Sequence, residues 1–361
     1  MEHPPSAVLA SPRALGPRLA AYIALTKPRI IELLLITTLP AMILAAGGWP
    51  GAGLVMATIG GGALSAGGAN VINNVADRDI DARMRRTSAR PLPAERVAPA
   101  EARTLGVALG IAGFLVLWGG ATIQAALLAT AALLFYVFVY TLGLKRTTPH
   151  NIVIGGAAGA APTLVGWAAV TGTLALPAWI LFGVVFFWTP PHFWALSIRF
   201  RDDYERAGVP MLPVVAGERE TVRQIVWYSI LLAGLSVLLA PAAGIGVVYV
   251  TGAAVLGAGL VGMSLTLLRS VRGAMRVFMI SNLYLALLFA LVAADVLSEA
   301  GPLSSSVASG VAWAGAAVVI AAAGVILTTM RPRPQRSSEV VWLAAPAAMA
   351  AALVAAVMAA L

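Results

Sequence analysis

The feature that most constrains this chain is a repeated alternation of apolar runs, each about 18 residues or longer, with short polar loops. Hydrocarbon offers no water to a stranded N–H or C=O, so each run must close its own backbone hydrogen bonds as a helix. Eleven runs can be read, near 29–47, 52–72, 104–120, 122–142, 151–170, 175–197, 224–243, 246–268, 277–296, 306–329 and 341–361. The expected fold class is all-α, a polytopic membrane protein, and a composition of 60% hydrophobic and only 11% charged residues agrees with it.

A net charge of +9 would suggest a nucleic-acid partner in a soluble chain, but here it reads as topology. If the N-terminus is cytoplasmic and the spans alternate, all 24 Lys and Arg fall on the cytoplasmic side, and the outer loops keep only Asp295 and Glu299. One internal span more or fewer would scatter that pattern. No nucleic acid is expected, and the expected location is a bacterial inner membrane. Residues 1–21 carry scattered Pro, Ser and Arg with no apolar core before the first span, which predicts a cytoplasmic tail and no cleavable signal. The absence of cysteine excludes disulfides and thiolate chemistry, and three histidines, His3, His150 and His192, leave little for a histidine-built metal centre.

Asn73, Asp77 and Asp81 are spaced i, i+4, i+8, so on a helix they advance about 40° per step and form one polar stripe. Asp79 lies off it. Arg83, Arg85, Arg86 and Arg90 follow within a few turns. Carboxylates beside guanidiniums suit a divalent cation that bridges a diphosphate; a solvated acidic turn beside topology-setting arginines is the other reading, and spacing alone leaves both open. A second cytoplasmic loop, from Asp202 to Pro213, repeats the acidic stretch and proline stop four spans later, which looks like an internal duplication. Lys145 and Arg146 stand before a small-residue segment containing Gly155 and Gly159, which predicts close helix packing. In the sixth span Pro190 and Pro191 predict a kink, and beyond them His192, Arg199 and Asp203 share a face to within about 20°. His192 and Glu32, the latter just after Lys27-Pro28-Arg29, are the ionisable residues expected inside spans.

Taken together, these residues resemble a known family. Asn73-x3-Asp77-x3-Asp81 with Met84-x-Arg86-Thr87-x2-Arg90-Pro-Leu is similar to the first motif of the UbiA-type intramembrane prenyltransferases. Tyr140-Thr, Leu144-Lys-Arg, Thr148-Pro-x-Asn151, Pro190-Pro-His192-Phe-Trp and Asp203-Tyr-x2-Ala-Gly-x-Pro-Met-Leu-Pro resemble the branch that farnesylates protohaem IX. The resemblance covers about 22–296 and implies a nine-helix bundle, with the two C-terminal spans in 297–361 as additional transmembrane helices. It implies Mg²⁺ held by Asn73, Asp77, Asp81 and Asp203, catalysis involving Asn73, Asp77, Asp81 and His192, and substrate binding by Arg29, Arg86, Arg90, Lys145, Arg146, Asn151, Arg199, Asp203 and Tyr204. Its implied substrates are farnesyl diphosphate and haem B, its setting the lipid bilayer, and its partners other haem-biosynthesis or terminal-oxidase assembly proteins. The second acidic loop departs from the Asp-x3-Asp of other branches, since Ala207 follows Asp203 and Arg206 follows Asp202 at that spacing, so a second full metal triad is not expected.

Two other functions compete. A UbiA-type enzyme acting on an aromatic or quinone precursor would share the first stripe, yet has no evident need for His192 in its Pro-Pro-His-Phe setting. A transporter would place charges along the spans, whereas nearly all charges here lie in loops. The C-terminal spans are Ala-rich and suggest no chemistry, so they are expected to be dispensable for it.

Overall fold

The computed structural model describes residues 15–298, 301–329 and 338–360, without the side chains of 15, 30, 32–35 and 338–343. The expectations for Glu32, His3, Glu299 and the first residues of the tail lie outside that description. Among the described residues every regular element is helical. The helices are α1 (Leu15–Thr26), α2 (Pro28–Ala46), α3 (Ala52–Ala76), α4 (Arg78–Arg83), α5 (Pro99–Gly120), α6 (Ile123–Leu134), α7 (Asn151–Thr171), α8 (Leu176–Arg199), α9 (Arg201–Arg206), α10 (Leu212–Val215), α11 (Gly217–Ala243), α12 (Val247–Thr266), α13 (Ala274–Leu297), α14 (Ser305–Thr329) and α15 (Ser338–Ala360).

Nine of the described helices are long and apolar enough to cross a membrane: α3, α5, α6 with its continuation to Arg146, α7, α8, α11, α12, α13 with the turn before it, and α14. Shorter apolar stretches lie at Ile36–Ala46 in α2 and Ala344–Ala360 in α15. Each of the eleven sequence runs therefore coincides with a helix. α1 begins inside the stretch read as a tail; it buries Ala21 and Leu25 with Val71 and Ala102, and Arg18 and Tyr22 both bond Glu101 at the start of α5.

Small residues set how closely the helices approach. On α3 and α5, Gly61 faces Gly113 and Gly68 faces Gly106. A Cβ at Gly68 would stand 2.6 Å from the Gly106 carbonyl, and one at Gly113 would stand 2.7 Å from the Ser65 nitrogen. Backbones in van der Waals contact replace the hydrophobic drive that lipid removes between spans. The second half of the chain packs differently, through Phe187, Trp194, Tyr228, Tyr249, Tyr284 and Phe289, all fully buried among leucines of α8, α11, α12 and α13. Asp295, an expected outer-loop charge, is buried and accepts a 2.5 Å hydrogen bond from the Gly246 N–H that opens α12.

α14 and α15 are knitted into this second half. Val318 and Val319 fill the space over Gly234 of α11, Leu238 covers Gly315, and Leu353 of α15 sits over Gly183 of α8. α8 continues as one helix from Leu176 to Arg199 through Pro190 and Pro191, although neither proline can donate to the backbone ladder.

Candidate active site

The acidic stripe forms where α3 meets α4. α3 ends at Ala76, and Asp77 stands between the two helices with φ −91° and ψ 4°. The i+4 ladder nonetheless continues, since Asp77 N–H donates to the Asn73 carbonyl at 2.9 Å and Asp81 N–H to the Asp77 carbonyl at 2.8 Å. Asn73, Asp77 and Asp81 consequently keep a common face and are buried at 2%, 1% and 3% exposure. Buried carboxylates require compensation, and each finds a cation from elsewhere. Lys145 Nζ lies 2.5 Å from Asp77 Oδ2, and Arg90 donates to both Asp81 oxygens at 2.9 and 2.8 Å. Lys27 Nζ donates to Asn73 Oδ1 at 2.8 Å, while Asn73 Nδ2 donates to Asp77 Oδ2 and to Thr141 Oγ1.

Two of these contacts come from residues that sequence reasoning did not place in the site. Lys27 precedes the first span in a left-handed conformation, φ 55°, which turns its side chain back toward α3. Burial, with the nearby positive charges of Arg90 and Lys145, lowers its pKa to about 7. Lys27, Arg90 and Lys145 thus form a cluster of mutually repelling cations, an arrangement that an incoming anion relieves. Thr141 is delivered by a π-helical stretch, Phe135–Gly143, that continues α6. Its hydroxyl donates to the Tyr136 carbonyl and accepts from Asn73. The Lys-Pro pair at the head of a span was the one available signal for Lys27; nothing local announces a π turn.

The second loop closes over the first. Asp203, 7% exposed, is paired with Arg206 three residues along α9 and accepts from the backbone N–H of Arg86 at 3.3 Å. Arg86 lays its guanidinium 5.2 Å from the Phe200 ring centre, linking the two loops. Ile80, Met84, Tyr140, Ile152, Tyr204 and Met211 form a small apolar cluster beneath this junction. Asn151, fully buried at the start of α7, donates to the Thr148 carbonyl and leaves Oδ1 without a donor.

Other predicted residues stand apart. Asp79 leaves the stripe as its spacing requires; it is half exposed, paired with Arg146 at 2.7 Å, and hydrogen bonds from Arg146 hold its carboxyl below the usual range. Arg146 is therefore engaged outside the stripe. Arg29 is exposed and makes no ion pair among the described residues, and Arg199 is exposed beside the Phe200 ring at 5.8 Å. His192 faces α13: its ring lies between Trp188 and Phe278, with centroid distances of 4.1 and 4.3 Å.

Among the described residues no three acidic or histidine side chains converge closely enough to hold a metal by themselves. Lys145, Arg90 and Arg206 are paired with Asp77, Asp81 and Asp203. The donor set still fits a hard cation. Asn73, Asp77 and Asp81 offer only oxygen ligands on one face, and Asp77 Oδ1 is buried with no hydrogen-bond partner. One helical turn deeper than Asn73, at Asn70, an apolar groove with a cavity volume of about 150 Å³ begins between α2, α3, α6 and α7, lined by Gly62, Ala66, Tyr136, Gly159 and Pro162.

Residues 34–285 match the UbiA prenyltransferase family. The chain belongs to the UbiA prenyltransferase family. It is 52% identical over 300 residues to protoheme IX farnesyltransferase 1 of Saccharopolyspora erythraea, a match covering 81% of this chain and 96% of that one. Solved family structures share the fold at lower identity. A digeranylgeranylglyceryl phosphate synthase aligns with a TM-score of 0.66 at 19% identity, over 78% of this chain and 99% of its own. A UbiA homolog from Archaeoglobus fulgidus, bound to DMAPP and Mg²⁺, aligns with a TM-score of 0.55 at 15% identity, over 75% and 98%.

Proposed function

We propose that this protein transfers the farnesyl group of farnesyl diphosphate to a vinyl group of haem B, with addition of water, giving haem O and diphosphate. The observation that carries this reading is the buried Asn73–Asp77–Asp81 face ringed by Lys27, Arg90 and Lys145, in a chain half identical to a protoheme IX farnesyltransferase. Mg²⁺ would be held by Asn73, Asp77 and Asp81, with Asp203 as a further ligand from the second loop; when bound it supplies Lewis-acid neutralisation of the leaving diphosphate.

The chain's own groups account for the rest. Lys145 and Arg90, released from Asp77 and Asp81, turn their N–H donors to the phosphate oxygens, as Lys27 and Arg86 do, so the charge of the cluster is conserved while its partners change. The apolar farnesyl tail lies in the groove beyond Asn70, where burial favours it by roughly 25 cal/mol per Å². Tyr136 and Tyr140, stacked 5.3 Å apart between the stripe and that groove, present aromatic faces to an allylic cation. The C–O bond of the donor breaks with its electron pair on the diphosphate, the vinyl terminus bonds to the farnesyl carbon, and water adds to the electron-deficient carbon left behind and loses a proton.

The stripe faces the cytoplasm of a bacterial inner membrane, a topology supported by all 24 Lys and Arg falling on one side of the alternating spans. α14 and α15 extend the family core as two further membrane helices, outside the site and facing lipid or haem-biosynthesis and oxidase-assembly partners. The test is direct: protein in bilayers is supplied with Mg²⁺, farnesyl diphosphate and haem B, and haem O is followed by chromatography. Farnesylation of an aromatic acid or quinone precursor in place of haem would overturn the reading.

A further inference from the structure

We infer that His192 binds the iron of the tetrapyrrole acceptor through Nε2, with Ser281 of α13 as the positioning residue that fixes the tautomer; the inference rests on the acceptor proposed above. Both faces of the imidazole are taken, by Trp188 at 4.1 Å and 20° and by Phe278 at 4.3 Å and 26°. Only its edges remain for chemistry. One edge places Nδ1 2.8 Å from Ser281 Oγ. The Ser281 hydroxyl has a single proton, and the Phe278 carbonyl, 2.8 Å away and able only to accept, offers a partner for it. With the proton given to that carbonyl, Ser281 presents a lone pair to the ring, and Nδ1 then carries the hydrogen and Nε2 the free electron pair.

The clamp is itself held in place. Trp188 Nε1 donates to the Ser281 backbone carbonyl at 2.7 Å, which ties α8 to α13 at this level and keeps ring, indole and hydroxyl in register. Among the described residues no hydrogen bond reaches Nε2, and His192 is partly exposed. A lone pair on Nε2 suits a Lewis acid and repels a carboxylate, which would require an N–H there. This separates iron from propionate as the partner. Donation of the other ring N–H to a fixed acceptor is the arrangement that orients a metal-binding histidine and raises its basicity.

The test uses the full-length protein in detergent, titrated in parallel with haem and with metal-free protoporphyrin IX, together with resonance Raman of the ferrous haem complex. The wild type is expected to show an iron–imidazole stretch. In His192→Ala the stretch should vanish and return with added imidazole, and haem affinity should fall at least about tenfold, while the metal-free porphyrin binds as to wild type. Ser281→Ala should keep the stretch but move it to lower frequency and weaken haem about tenfold, again without effect on the metal-free porphyrin. Equal losses for haem and metal-free porphyrin in His192→Ala, or a wild-type complex without the stretch, overturn iron ligation. Should His192→Ala fail to fold, the wild-type spectrum and Ser281→Ala decide. A wild type that binds neither tetrapyrrole instead overturns the proposed acceptor, a distinct failure.

Discussion

Asp77 and Asp81, after α3, are neutralised by Lys145 from the end of α6 and by Arg90 from the far end of their own loop, whereas Asp203, after α8, is neutralised by Arg206 within its own short helix. A pair assembled from distant segments can exchange partners without unwinding anything. On the proposed reading, a cation that takes the carboxylates frees Lys145 and Arg90 for a diphosphate. The Asp203 pair is local, and its other oxygen accepts from Arg86 N–H, so it acts as a clasp between the loops. On the proposed reading the two loops divide the work, the first providing exchangeable charge and the second clasping the loops together.

That contrast can be broken most severely at the stripe. Asp77→Ala or Asp81→Ala should lower haem O formation by on the order of 10²–10³-fold while leaving insertion intact, as read by turnover in membranes of matched protein content. Normal turnover would remove the stripe from the chemistry. Asp203→Asn keeps an acceptor for Arg86 but weakens one proposed Mg²⁺ ligand, and should lose nearer to tenfold in kcat/KM, with the Mg²⁺ requirement shifted to higher concentration. A loss as large as that of Asp77→Ala would make the second loop an equal partner.

The groove offers a sharper version of the same comparison. A Cβ at Gly62 would meet nothing within 4 Å and would point into the groove that Gly62 lines, so Gly62→Leu should fold normally and fill it. Donor preference should then move about tenfold from farnesyl toward geranyl diphosphate in competition assays, with Mg²⁺ affinity untouched. A chain stopped after Pro302 should retain the reaction but melt at lower temperature, because Gly234 and Gly183 lose the side chains that cover them. Loss of product from a stably inserted truncation would assign α14 and α15 to the site. The smallest effect belongs to Asp79→Ala, within about twofold, because an exposed pair such as Asp79–Arg146 contributes little.

How much of this was legible in the sequence follows from which interactions are local. The spans were readable because hydropathy is carried residue by residue, and the stripe was readable because i+4 hydrogen bonding persists even through the break at Asp77. The small-residue segment of α7 was read as packing, and the Tyr140 ring does fill the space over Gly155, yet Gly159 instead opens onto the groove. The reach of Lys27 to Asn73, the π turn that delivers Thr141, and the clamp of Trp188, Phe278 and Ser281 on His192 were not readable. Each depends on segments far apart in the chain meeting in space, and none leaves a periodic trace.

The most direct test of the exchange is the binding of farnesyl diphosphate to purified protein by calorimetry, with Mg²⁺ or with chelator, for the wild type and Asp77→Ala. Tight binding should require Mg²⁺ in the wild type and be lost both on chelation and in Asp77→Ala, because the carboxylate face and the freed Lys145 act only together. Equal affinity in all three conditions would contradict the account, since the diphosphate would then be held by the cations alone and the buried stripe would have no part in it.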